Sequence, residues 1–205
     1  MAPPPAASIR RERERDLVEA TRALFDERGV RDAPMGEIAR AVGINKALIY
    51  RVFSSKEELF VLTVTHYLDE LRDSVEPGAG LRDTLDRFTT FCLRYPAFLD
   101  CALALMRRPG PELQERVSDG VWLRLGRSMA ACLAPLTALL EAEGVAEPDF
   151  VANRLYTQVL GTMHLARIGL GVHETAPGVP GAFAVDPEAV RRACVEDALA
   201  VVRAA

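Results

Sequence analysis

Lysine is nearly missing from this chain of 205 residues: Lys46 and Lys56 are the only two, and both fall within IARAVGINKALIYRVFSSKEELF, residues 38–60. Aromatics make up only 6% of a chain that is 49% apolar, and long runs of β-branched residues are missing. That balance of alanine and leucine over valine, isoleucine and aromatics favours helix over sheet and predicts an all-α fold. The longest apolar runs, such as Met129 to Leu140, stop short of the ~20 residues needed to cross a bilayer, so no membrane is expected as a partner. The opening MAPPPAASIRRERER has no apolar h-region, which excludes a signal peptide and predicts cytoplasmic residence. The four cysteines, Cys92, Cys101, Cys132 and Cys194, form no C-x-x-C pair and read as buried reduced thiols. There is no G-x-S-x-G, phosphate loop or H-E-x-x-H, so no enzyme activity, cofactor or metal is expected. His66 and Glu70 stand at i and i+4, but no third ligand accompanies them, which favours a surface hydrogen bond.

Positive charge of any kind is not abundant either, since the formal net charge is −4. It is unevenly spread: residues 1–60 carry 11 Lys/Arg against 10 Asp/Glu, and the remainder 14 against 19. A dedicated nucleic-acid domain is often far more basic, so any such role must rest on where the cations stand.

What is present is a series of helices with recognisable stops. Three consecutive prolines make residues 1–7 a disordered leader. A first helix is expected from Ser8 to Arg28, with Leu17, Ala20, Leu24 and Phe25 inward and Gly29 as its C-cap. A second runs from Pro34 to Val42 and is stopped by Gly43. Asn45 suits the N-cap of a third, with Ile44 and Ile49 as a hydrophobic staple. Ile49, Val52 and Phe53 give that helix an inward side, leaving Lys46, Ala47, Leu48, Tyr50 and Arg51 wholly or partly outward. Ser55 and Glu58 have the spacing of a capping box that opens a fourth helix ending near Val75, with Lys56 beside free backbone N–H groups. Helix, tight glycine turn, helix is a helix-turn-helix pattern.

The pieces LVEATRALFDERGV, IARAVGINKALIY and FSSKEELF, in this order and spacing from Leu17 to Phe60, resemble the DNA-binding domain of TetR-type transcriptional regulators. The resemblance implies a three-helix DNA-binding domain over residues 8–54 and a helical ligand-binding and dimerisation domain over 55–205, about nine helices in all. It implies a bacterial regulator, a repressor released from a double-stranded DNA operator by a small-molecule effector. A helical sensor dimer that has lost DNA binding is the alternative. Lys46, Tyr50 and Lys56 suit phosphate contacts, Arg51 a guanine edge or a phosphate, and Ala47 and Leu48 a thymine methyl. Arg10, Arg11, Arg13 and Arg15 fit either the DNA backbone or, interleaved with Glu12, Glu14 and Asp16, a solvated helix face. Two departures stand out: Leu48 occupies a position where many members have threonine, and Val52 one where histidine is frequent.

In the second part, helices are expected at 81–94, 96–108, 111–143, 148–169 and 187–203, with Pro135 kinking or dividing the third. Residues 170–186, with three glycines and two prolines, read as a long mobile loop. The resemblance implies a homodimer through the last two helices, with which the spacing of Val151, Leu155 and Val159 and of Val190, Cys194 and Leu199 is compatible. The implied effector would be largely apolar, with Phe88, Cys92, Met106, Trp122, Met129 and Met163 as pocket candidates and Gln158 and His164 as polar handles.

Overall fold

The computed structural model describes residues 6–28 and 35–205. Among them lie helices α1 (Ala6–Arg28), α2 (Met35–Ala41), α3 (Lys46–Val52), α4 (Lys56–Ser74), α5 (Leu81–Arg94), α6 (Pro96–Met106), α7 (Gly110–Gln114), α8 (Asp119–Ala142) and α9 (Pro148–Ile168). Strands β1 (Leu170–Ala176) and β2 (Val179–Ala184) follow, and α10 (Pro187–Arg203) completes the order. The fold is helical as expected, with ten helices among the described residues and one hairpin. Ala6 and Ala7 of the expected leader belong to α1, and Gly29 and Pro34 lie outside the described residues.

Packing divides the chain into two compact units, residues 1–68 with 100–129, and residues 69–99 with 130–205. These units do not coincide with a single cut after Ser54.

In the first unit α1 contributes Leu17 and Val18, α2 Ile38 and Ala39, α3 Ile49, and α4 Leu59 and Leu62 to one apolar core, joined by Leu113, Val117 and Val121. The expected inward side of α1 is shifted by one position: Val18 and Thr21 are buried while Ala20 and Leu24 are half-buried. Thr21 is tolerated there because its hydroxyl donates to the Leu17 carbonyl at 2.6 Å. Phe25 meets Phe60 edge-on, with ring centroids 5.3 Å apart.

The expected helix over 111–143 is broken, but at residues 115–118, and Pro135 lies inside α8. Leu113 just before the break and Val117 within it turn into the core, and the Ser118 carbonyl accepts the N–H groups of Val121 and Trp122 at 3.0 Å to start α8. Pro135 removes one helical donor, yet Leu133, Leu136 and Leu140 around it are buried and hold the helix together. α8 is long and apolar enough to span a membrane by composition alone. Its buried residues, Val121, Ser128, Leu133, Leu136 and Leu140, fall within one side of the helix, the mark of a helix packed along one side.

In the second unit Leu85 of α5, Leu136 and Leu140 of α8, Val151 and Leu155 of α9 and Val195 and Ala198 of α10 form a separate core. Val151, Leu155, Val159 and Cys194 are thus consumed inside the chain. The outward residues of α9 are others, among them Phe150, Leu165 and Ile168. Arg191 pairs with Asp86, and Arg82 with Glu196 at 2.6 Å, tying α10 to α5 on the surface.

Residues 170–184 are an antiparallel hairpin, not a loop. Pro177 and Gly178 form the turn, and Gly178 takes φ +76°, the left-handed value that the third residue of a type II turn requires. At the base, the Val185 N–H donates to the Gly169 carbonyl at 3.0 Å.

Candidate nucleic-acid interface

The turn between α2 and α3 is fixed on both sides by local chemistry. Gly43, at φ +70°, donates its N–H to the Arg40 carbonyl at 3.1 Å, and Ile44 donates to the Ala39 carbonyl at 2.9 Å, the double closure of a Schellman motif. Asn45 is the expected N-cap: its side-chain oxygen accepts the Leu48 N–H at 3.0 Å. Ile49 is fully buried and Ile44 packs partly against the same core, as the staple predicts.

This turn leaves Lys46, Ala47, Tyr50 and Arg51 exposed, at i, i+1, i+4 and i+5 of α3, and therefore on one side of the helix. Tyr50 keeps 48% of its surface. Leu48 is only half-buried, so the expected outward leucine is partly packed. Lys56 is exposed at the first residue of α4, its ammonium 5.0 Å from the centre of the Phe60 ring, a cation–π contact that steadies the side chain. Arg15 engages Asp16 and Glu19 at 3.9 and 4.0 Å, a solvated pattern on α1.

Glu58 departs from the expected capping box. The Ser55 hydroxyl does accept the Glu58 N–H, at 2.9 Å. The Glu58 carboxylate, however, accepts the Ser54 N–H and the Ser118 hydroxyl, and the Ser118 N–H at 3.4 Å. The Ser55 hydroxyl in turn donates to the Arg116 carbonyl at 2.7 Å. Burial raises the Glu58 carboxyl pKa, but the hydrogen bonds from Ser118 and Ser54 outweigh it and hold the group below the usual glutamate range. The expectation of free N–H groups around Lys56 is corrected to that extent: those of Ser54 and Glu58 are taken. Sequence spacing revealed the cap; it could not reveal Ser118, 60 residues away.

The expected effector residues separate between the two units. Phe88, Cys92, Gln158, Met163 and His164 lie in the second, whereas Met106, Trp122 and Met129 lie in the first. Trp122 packs partly against the first unit's core and Met106 is 46% exposed. In the second unit Phe88 stacks on Tyr156, with centroids 5.4 Å apart, a residue that helical spacing alone does not single out. His164 has a buried Nδ1 without a hydrogen-bond partner, and so does the Thr84 hydroxyl. Burial pushes the Cys132 thiol up to about 12 and the Cys194 thiol up to about 11, which keeps both in the unreactive form. Glu70 accepts from the Tyr95 hydroxyl.

Comparison with known proteins agrees with this geometry. Residues 17–62 match the family model of bacterial regulatory proteins of the tetR family. The transcriptional repressor KstR2 of Rhodococcus jostii is 35% identical over 96 residues, 44% of this chain and 47% of that protein. The transcriptional activator FasR of Mycolicibacterium smegmatis is 35% identical over 91 residues, 44% of this chain and 41% of that one. The chain thus spans about half the length of the curated relatives it matches. A TetR transcriptional regulator from Rhodococcus sp. RHA1 shares the fold with TM-score 0.62 at 19% identity, covering 93% of this chain and 96% of that one. BioQ solved with its natural double-stranded DNA operator has TM-score 0.56 at 19% identity, over 72% of this chain and 83% of that one. Residues 17–62 thus match the helix-turn-helix segment of bacterial regulatory proteins of the tetR family, and the chain as a whole shares the fold of solved TetR regulators.

Proposed function

We propose that the protein is a cytoplasmic, dimeric DNA-binding regulator that represses transcription and is released from its operator by a largely apolar small molecule. The observation that carries this reading is the exposed side of α3, where two cations and a tyrosine surround one small apolar residue on a helix capped at its start. Such a side fits a major groove about 12 Å wide. Lys46, Tyr50 and Lys56 hold phosphates, Ala47 and the exposed part of Leu48 meet thymine methyls, and Arg51 reads a guanine edge or a further phosphate. Phe88, Cys92, Met163, Gln158 and His164 recognise the effector; the unpartnered Nδ1 of His164 supplies the polar handle. Two copies pair through α9 and α10, so that two recognition helices meet two half-sites.

A gel-shift titration on the DNA flanking the protein's own gene tests the reading. The wild type shifts that DNA, and Tyr50→Phe with Lys56→Ala weakens binding to all sequences alike by about tenfold or more, as loss of positioning contacts requires. Absence of any shift at low salt, with or without small molecules, would leave a sensor dimer without DNA binding. Equal affinity of the double variant would remove the phosphate roles of these two residues.

A further inference from the structure

Two carboxylates stand directly beside the cation at the start of α4: Glu57 and Glu58 follow Lys56. The first turn of a helix favours them, because its unpaired N–H groups carry partial positive charge. A phosphate arriving at Lys56 is repelled by the same two charges, and a free carboxylate so close can take the ammonium for itself. What suits the helix and what suits DNA therefore conflict at this point.

Both carboxylates are held by the segment that runs from the end of α6 to the start of α8, within the same packing unit. Glu58 is buried and accepts from Ser54 and Ser118. Glu57 pairs with Arg108, whose guanidinium lies 3.5 Å from it, at side-chain exposures of 26% for Glu57 and 40% for Arg108. On the other flank of Lys56, the Ser55 hydroxyl donates to the Arg116 carbonyl at 2.7 Å. Lys56 itself pairs with no carboxylate among the described residues; its ammonium rests 5.0 Å from the centre of the Phe60 ring.

We infer that Arg108 is a positioning residue for DNA binding: by holding Glu57 it keeps a carboxylate off Lys56 and off the phosphate that Lys56 takes, without touching DNA itself. The inference rests on the phosphate role proposed above for Lys56 and adds to it a residue from outside the helix-turn-helix. Glu58 needs no cation, because hydrogen bonds from Ser54 and Ser118 hold its charge in place. Glu57 is the carboxylate left to be neutralised, and Arg108 is the cation that reaches it. A partly exposed ion pair contributes little to folding, so loss of Arg108 acts on DNA affinity more than on stability.

A gel-shift titration at low salt compares wild type, Arg108→Ala, Glu57→Gln and the double variant Arg108→Ala with Glu57→Gln. Each is tested on the DNA flanking the protein's own gene and on a scrambled duplex of equal length, with Tm measured alongside. Arg108→Ala should bind both duplexes about threefold more weakly or worse, and the loss should shrink as added salt screens Glu57. The double variant should regain wild-type affinity, Glu57→Gln alone should bind at least as tightly as wild type, and Tm should barely move. Wild-type affinity in Arg108→Ala overturns the inference. So does a loss that Glu57→Gln does not repair, since Arg108 would then touch DNA or support the fold. Should Arg108→Ala not fold, Glu57→Gln decides alone, and a fall in its affinity overturns the role given to the pair. A wild type that shifts neither duplex overturns the DNA reading and this inference together.

Discussion

Glu58 accepts hydrogen bonds from the turn before α4 and from the residue that starts α8, so one carboxylate fastens two segments that lie 60 residues apart. Its replacement by alanine removes the charged acceptor of the Ser54 and Ser118 donors; both serines are exposed and can turn to water, so the loss is that of hydrogen bonds to a charged group, about 1.5–3 kcal/mol at most. Glu58→Ala is therefore expected to lower the unfolding free energy by at least about 1 kcal/mol, measured by urea unfolding at pH 7. Because the folded carboxyl titrates below its unfolded counterpart, the contribution is fully present above the unfolded value. It is lost as pH falls through the lowered folded value. Wild type should lose stability more steeply than Glu58→Gln below about pH 4.3; parallel curves would show that the carboxylate charge is not what the site holds.

At the scale of elements, the N-terminal turn was legible because its determinants are local. Gly43, Asn45 and the Ile44–Ile49 staple act within residues 39–49, and each stands as the sequence predicts. Gly43 has no heavy atom within 4 Å of a would-be Cβ, so Gly43→Ala meets only backbone strain. That strain is about 1–2 kcal/mol for an L-residue at positive φ. A fall in Tm of several degrees is expected from scanning calorimetry, at about 2–4 °C per kcal/mol for a chain of this size. DNA affinity should fall as well, since α3 would lose its fixed entry; an unchanged Tm would mean that the turn relaxes out of the left-handed region.

Other elements were misread for an equally physical reason. The glycines and prolines of 170–186 read as a loop because the strands bury no residue on either side, so the alternation of polar and apolar residues that marks a half-buried strand is weak. The helix break at 115–118 is set by burial of Leu113 and Val117 and by Glu58, whereas Pro135, the stronger local signal, is overridden by buried leucines around it. Leu48 lost part of its predicted exposure because helical spacing alone does not say how wide the buried side of a seven-residue helix will be.

At the scale of the whole molecule the charge becomes interpretable. Counted by packing unit, residues 1–68 with 100–129 carry 16 Lys/Arg and 14 Asp/Glu, and the remaining residues carry 9 and 15. The net charges are +2 and −6, a sharper separation than any single cut near residue 60 suggests. A regulator that holds DNA through few cations should show a modest salt slope. With Lys46, Arg51 and Lys56 on phosphates in both copies, log K against log salt should fall with slope about −5, and Lys56→Ala should reduce it by about 2. A slope near zero in wild type would exclude phosphate contacts by these residues.

The sequence by itself determined the helical fold, the capped turn before α3 and the exposed positions that α3 offers, because caps, glycine stops and helical spacing act within a few residues. Only the tertiary structure decided that Glu58 is held by Ser118, that Val151, Leu155 and Cys194 fill the chain's own core, and that a bare hairpin extends from α9. Those outcomes depend on which distant surfaces meet, and apolar spacing along one helix is the same whether its partner is the same chain or another copy.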